Sequence, residues 1–229
     1  MKIFAKAKAV WILVEFLITV PVVIFMMRLW PQKQWAFRRR WARLQSWLTG
    51  YRLQIEGTPD PDADLVLMNH QSLLDIIVMD ASYPRNLAWV AKREIADMPF
   101  FGQILTLPKM IIVDRENKRS LIKLLKDAKA RLAEGRVIAM FPEGTRGDGR
   151  RLLKFRTGAK FLAEKLHLRV QPAVIVNSRR ILDSVDFTAR SGTVKIIYLD
   201  PIDPASDPEW FDKLHVTMQA VLEKETKES

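Results

Sequence analysis

The segment "NHQSLLD" at 69–75 sets a histidine five residues before an aspartate, directly after a run of apolar residues. A carboxylate bonded to one imidazole nitrogen fixes the tautomer and stabilises the imidazolium. The other nitrogen is then left to take a proton from a hydroxyl. His70 and Asp75 are thus candidates for a general base and its orienting partner. A second reading has Asp75 serving the N-terminus of the next helix and His70 packed where a strand meets a turn. The pair alone does not choose between them.

A second segment, "FPEGTRGDG" at 141–149, also follows an apolar run. Gly144 permits close backbone approach, the turn can aim amide hydrogens outward, and Arg146 carries a planar fork matched to phosphate oxygens. These features suit an anion cradle, and equally a tight surface turn with solvated charges. Glu143, itself anionic, suits a hydroxyl or Arg146 better than a phosphate. Lys92, Arg93 and Arg115 follow the ends of predicted strands, so an α/β sheet would bring them to the edge that carries His70 and Arg146. Each of them alone reads as a surface charge. His167 and His215 fall in helical patterns without carboxylates at useful spacing and read as structural or solvated. With no cysteine in the chain, disulfides, thiolate ligands and cysteine nucleophiles are excluded, and no metal site is expected.

These residues need a scaffold. Short apolar runs at 65–69, 87–91, 110–114, 137–141, 170–176 and 194–199 read as buried strands. Helical patterns at about 73–80, 117–134, 157–166 and 206–225 alternate with them. The alternation predicts an α/β fold, a central mixed sheet flanked by helices, with chemistry at strand ends and in the loops that follow. A chain of 229 residues can bury one sizeable core. The expected division is a helix pair over 1–50 and an α/β domain over 51–229.

The first fifty residues differ in kind. "AVWILVEFLITVPVVIFMMRL" at 9–29 is interrupted only by Glu15, Pro21 and Arg28 over about the length of a bilayer core. A cleaved signal is disfavoured because no small-x-small site follows. A buried core helix is disfavoured because no side of it is polar enough to face water. Glu15 must be neutralised or paired at depth, which favours a segment partly embedded in one leaflet over a fully lipid-exposed span. The next stretch, 30–50, sets Phe37, Trp41, Leu44 and Leu48 on one helical face and Arg38, Arg39, Arg40 and Arg43 around the rest. Such a helix suits a headgroup layer, and its tryptophans could instead pack on the globular part. Pro31 and Gly50 mark its ends. Thirty-seven Lys and Arg against 26 Asp and Glu, a formal net charge of +11, favour an anionic partner.

The order of "NHQSLLD", "VDR", "FPEGTR" and "VQPAVI" resembles the four sequence blocks of the glycerolipid acyltransferases, most closely the bacterial 1-acyl-sn-glycerol-3-phosphate acyltransferases, over about 57–200. The resemblance implies an α/β acyltransferase preceded by a membrane-binding helix pair, with His70 as general base and Asp75 orienting it. It implies Arg115, Glu143, Gly144, Thr145 and Arg146, with Lys92, as the glycerol-phosphate site. Glu143 would accept a glycerol hydroxyl or fix Arg146. Pro172 marks the fourth block, structural or acyl-binding. "MPFFG" at 98–102 offers surface for an acyl chain or an ordinary core turn. Lys109-Met110 departs from the smaller or aromatic lead-in of many relatives, which bears on acyl-chain and acceptor detail. The implied partners are membrane lipids, lysophosphatidic acid and an acyl carrier protein or coenzyme A thioester, with no nucleic acid. No cofactor is implied beyond that thioester co-substrate, and the implied place is the cytoplasmic face of a bacterial inner membrane. Competing readings are acylation of glycerol 3-phosphate or another lysophospholipid, thioester hydrolysis by water, and a non-catalytic membrane-surface or nucleic-acid-binding protein using the arginines of 30–50.

Overall fold

A computed structural model describes residues 2–114 and 120–228 of the chain. Helix α1 (Lys2–Leu29) is followed by a single 3-10 turn at Pro31–Lys33 and helix α2 (Gln34–Thr49). The helical backbone is broken at Trp30, where φ is −129° and ψ 76°. Gly50, at φ 68°, ends α2 in the left-handed conformation that glycine adopts most cheaply, and the chain turns directly into β1 (Tyr51–Glu56).

Strand β2 (Leu65–Met68) leads to α3 (Leu74–Ser82), and β3 (Leu87–Lys92) to the short α4 (Arg93–Ala96) and α5 (Gln103–Thr106). Next come β4 (Ile111–Val113), α6 (Ser120–Ala133), β5 (Val137–Met140), α7 (Thr157–Leu166) and β6 (Val170–Val176). The chain closes with α8 (Ser178–Ile181), the hairpin strands β7 (Leu182–Asp183) and β8 (Thr188–Ala189), β9 (Gly192–Tyr198) and α9 (Trp210–Glu228). The sheet order is β1-β9-β6-β2-β5-β3-β4. All neighbours run parallel except β6 and β9, so the sheet is mixed, as expected.

All six predicted strands are present. Strand β1 and the β7–β8 hairpin were not anticipated. "YRLQIE" follows a helix without a break in composition, and the hairpin strands are two residues each, too short to show a period.

Strand β2 is buried along its whole length because both faces of the sheet are covered. Leu65 and Leu67 face the cluster built with α6, α7 and α9, whereas Val66 and Met68 face the cluster built with α2 and α3. Ala42 of α2 belongs to the second cluster, and Ala9 and Ile12 of α1 pack with Ala189 of β8, so both helices of the pair are joined to the body.

Glu15 finds partners for one of its two oxygens. One carboxylate oxygen accepts Thr19 Oγ1 at 3.0 Å and Gln45 Nε2 at 3.3 Å, and Trp41 Nε1 donates to Thr19 Oγ1 at 2.9 Å. This buried polar network binds α1 to α2. The opposite face of α1 is apolar and open: Phe4, Trp11, Val14, Ile18, Val22 and Phe25 recur at helical spacing and are all exposed. On α2 the arginines divide. Arg38 is buried and pairs with Asp80 of α3 at 2.8 Å, while Arg40 stays exposed.

Candidate active site

The site forms where the loops after β2 and β5 leave adjacent parallel strands, the edge at which open α/β sheets bind ligands. Asn69 extends β2 by side-chain means. Its amide oxygen accepts Ile175 N at 2.7 Å, and its amide nitrogen donates to Ile175 O at 2.8 Å. This fully buried residue fixes the exit of the strand, so the next residue enters the loop in a defined orientation.

That residue is His70. Its Nδ1 lies 2.9 Å from Asp75 Oδ2. The same oxygen accepts the amides of Gln71 at 2.6 Å and Ser72 at 2.8 Å. The carboxylate thus closes the loop that leads into α3 and also touches the ring. A carboxylate only accepts, so Nδ1 carries the proton and Nε2 is left with its lone pair. Phe141 stacks on the imidazole with centroids 3.9 Å apart and planes 9° from parallel, and Trp89 stacks on Phe141 at 5.3 Å. Trp89 Nε1 in turn donates to Asp80 Oδ1 at 3.0 Å. With one face covered and one nitrogen engaged, 15% of the His70 side chain stays exposed.

The 141–149 turn is fastened to the same loop. Glu143 Oε1 accepts His70 N at 2.8 Å, Glu143 Oε2 accepts Leu153 N at 2.7 Å, and Gly147 N donates to His70 O at 2.8 Å. Burial pushes the Glu143 carboxyl up to about 7, against the opposing pull of those two amides. Glu143 is only 2% exposed, with both oxygens on main-chain donors. Among the described residues these two amides are its hydrogen-bond partners, and it makes no ion pair with Arg146. Gly144 takes φ 74°, which carries the turn outward.

Thr145 and Arg146 are exposed at the rim, and Arg146 Nη1 donates to Ser184 Oγ in the β7–β8 hairpin at 2.7 Å. Lys92 ends β3 on the far side of β5 and forms no ion pair among the described residues. Arg93 pairs with Asp114 at 3.4 Å. Arg115 lies outside the described residues. Pro172 is buried in β6 opposite Leu67, three residues short of the level of His70, with its carbonyl bonded to Leu199 N at 3.1 Å. This is a place within the sheet. His215 touches Leu153 O and Phe155, and His167 caps α7 at φ 50°, so both are parts of the frame.

Sequence reasoning passed over Asn69, Phe141 as a ring partner, and Trp89. The position of Asn69 directly before His70 was the one available signal for it. Nothing in the local sequence marks Trp89 as lying behind Phe141.

The acyltransferase family model matches residues 54–176, which include His70, Asp75 and the 141–147 turn. The 1-acyl-sn-glycerol-3-phosphate acyltransferase of Helicobacter pylori (strain J99) is 42% identical over 174 residues, covering 75% of this chain and 73% of that one. The lyso-ornithine lipid O-acyltransferase of Rhizobium meliloti (strain 1021) is 35% identical over 142 residues, 62% of this chain and 48% of that one. The crystal structure of the 1-acyl-sn-glycerophosphate (LPA) acyltransferase PlsC from Thermotoga maritima shares the fold, with a TM-score of 0.77 over 98% of this chain and 96% of that one, at 20% identity. A family match over more than half of the chain, centred on a carboxylate-held histidine and the turn clamped to it, shows that this chain belongs to the acyltransferase family.

Proposed function

We propose that the chain moves a fatty acyl group from an acyl thioester to the 2-hydroxyl of 1-acyl-sn-glycerol 3-phosphate, giving phosphatidic acid. The observation that carries this reading is the His70–Asp75 pair with the 141–147 turn hydrogen-bonded to both sides of the His70 peptide. In this mechanism His70 Nε2 removes the hydroxyl proton as the oxygen attacks the thioester carbonyl. Asp75 holds the ring and balances the imidazolium, and the proton then passes to the departing thiolate. The chain has no cysteine, which fits direct transfer between substrates. A positioned base supplies about a hundred- to ten-thousand-fold, and alignment of the two substrates must supply much of the rest. Arg146 is assigned to the acceptor phosphate with Lys92 and Arg115. Thr145 and Gly144 shape the rim, and Glu143 positions His70 through its amide.

The protein is membrane-associated: α1 is 28 residues long, apolar enough to cross a bilayer, and exposes one whole apolar side. The reading adds that α1 and α2 lie in one leaflet on the cytoplasmic face of a bacterial inner membrane. There they would meet an amphiphilic acceptor and release the diacyl product into lipid. The match to a lyso-ornithine lipid enzyme brings a second acceptor into the test.

The test is an acceptor panel, lysophosphatidic acid, glycerol 3-phosphate and lyso-ornithine lipid, each with a radiolabelled acyl-coenzyme A and a radiolabelled acyl-carrier-protein donor. Phosphatidic acid as the main labelled product supports the reading. Free fatty acid alone would make the chain a thioesterase and overturn it.

A further inference from the structure

A cavity of about 680 Å³ opens beside the catalytic loop, between the first turns of α1, the 148–150 turn, α8 and the β7–β8 hairpin. Six cations line it, Lys2, Lys6, Arg150, Arg179, Arg180 and Arg190, against three carboxylates, Asp148, Asp183 and Asp186. Two of the carboxylates are already engaged, Asp183 with one of those cations. Asp148 accepts the amides of Arg150 and Arg151, and Asp183 accepts those of Val185 and Asp186 as well as Arg179 Nε. Lys2, Lys6, Arg150 and Arg190 form no ion pair among the described residues, so the cavity keeps an excess of positive charge.

Two contacts link this cavity to the chemistry. Arg179 Nη1 donates to Gly147 O at 2.6 Å, and Gly147 N donates to His70 O. Gln71, the residue after His70, lines the cavity. It is 5% exposed, and its amide nitrogen is buried without a hydrogen-bond partner. An unsatisfied buried donor is costly unless a ligand completes it.

We infer that this cavity holds the phosphate end of the pantetheine arm of the acyl donor, an inference that rests on the transferase reading above. Reach decides between the two substrates. The acceptor's hydroxyl and phosphate are separated by a few single bonds, so its phosphate must lie close to His70. The cavity is several times larger than a phosphomonoester, and its cations come from α1 and the hairpin as well as from the loops near His70. A long flexible arm between thioester sulfur and phosphate lets one ligand place its reacting carbon at His70 and its anionic end among those cations. Lys92 follows β3, on one side of β2, whereas Arg179 and Arg180 follow β6, on the other. Lys92 is thus separated from the cavity by two strands, while Arg146 touches the hairpin that walls it. The volume lies within the range of small-molecule sites and admits a nucleotide, while a carrier protein would stay outside and insert only its arm.

The experiment uses the full chain in non-ionic detergent, which removes surface-charge effects on lipid partitioning. Arg190→Ala and Lys6→Ala, singly and together, are compared with wild type after their thermal unfolding is shown to be unchanged. The expected result is a rise of about tenfold in KM for acyl-coenzyme A in the double variant, with acceptor KM and kcat within twofold of wild type. Adenosine 3′,5′-bisphosphate should inhibit competitively against acyl-coenzyme A and bind the double variant at least fivefold more weakly by calorimetry. A parallel rise in KM for the acyl-carrier-protein donor would show that the phosphate shared by both carriers is what the cavity reads. A rise confined to acyl-coenzyme A would assign it to the nucleotide. A rise in acceptor KM instead, or no change in either, overturns the inference. Calorimetry reads binding without turnover, so failure of the transferase reading and failure of the cavity assignment are separately visible.

Discussion

Glu143 accepts the main-chain amide of His70 at 2.8 Å, joining two loops 73 residues apart through a buried carboxylate. Burial holds its folded pKa at about 7, above the ordinary 4.5. Between those values the folded protein keeps a proton that the unfolded chain releases, so this group's contribution to stability falls as pH rises from 4.5 to 7. The loss is on the order of 3 kcal/mol. Glu143→Gln should remove that slope. Urea unfolding at pH 5 and pH 8 should differ by less in the variant than in wild type. An equal pH dependence in both would contradict the assignment.

Asp75→Asn should lower kcat by about a hundred- to ten-thousand-fold with little change in either KM, because the ring loses its fixed tautomer while the loops that bind substrate remain. His70→Ala should cost at least as much. Its main chain is still held by Glu143 and Gly147, so its circular dichroism and melting should match wild type. Single-turnover rates with saturating donor check both.

Arg38→Ala should destabilise the fold by about 3–5 kcal/mol, since Asp80 is left nearly buried with its cation removed. Arg40→Ala on the same helix is exposed and should change stability by no more than about 0.5 kcal/mol. Denaturant midpoints for the two variants, side by side, test whether α2 is anchored through one arginine or held by its basic character in general.

Phe4 and Trp47 are 81% and 78% exposed. Each should be worth roughly 1.5–3 kcal/mol when taken out of water. Phe4→Glu with Trp47→Glu should cut sedimentation with neutral phosphatidylcholine vesicles tenfold or more. The melting temperature in detergent should stay unchanged. Undiminished binding would place the membrane contact elsewhere.

The sequence displayed six of the seven strands of the main sheet, the main helices and the two candidate segments because each is a local pattern: an apolar run, a helical stripe, a histidine with its aspartate. What it concealed depends on contacts between distant residues. That Glu143 holds the amides of His70 and Leu153 is visible only once the two loops are seen side by side. Arg38 and Arg40 are indistinguishable in "RRR", and only the position of Asp80 on α3 separates an anchor from a solvated charge. The cation-lined cavity has no motif, since its walls come from five separated stretches of chain. Glu15, by contrast, announced its need for partners because a carboxylate within twenty apolar residues permits few solutions, and Thr19 with Gln45 supplies one.

Arg38, Asp80, Trp89, Phe141 and His70 touch in unbroken succession from the second amphipathic helix to the imidazole. Every link is an ion pair, a hydrogen bond or a stacked ring, and none includes a hinge. The separation of the imidazole from α2 is thereby a fixed dimension of the molecule, so wherever that helix meets lipid, its depth sets the height of the ring. Bilayer thickness and headgroup packing would then tune how well the acceptor's hydroxyl lines up, as the height of a workbench decides what a clamped tool can reach.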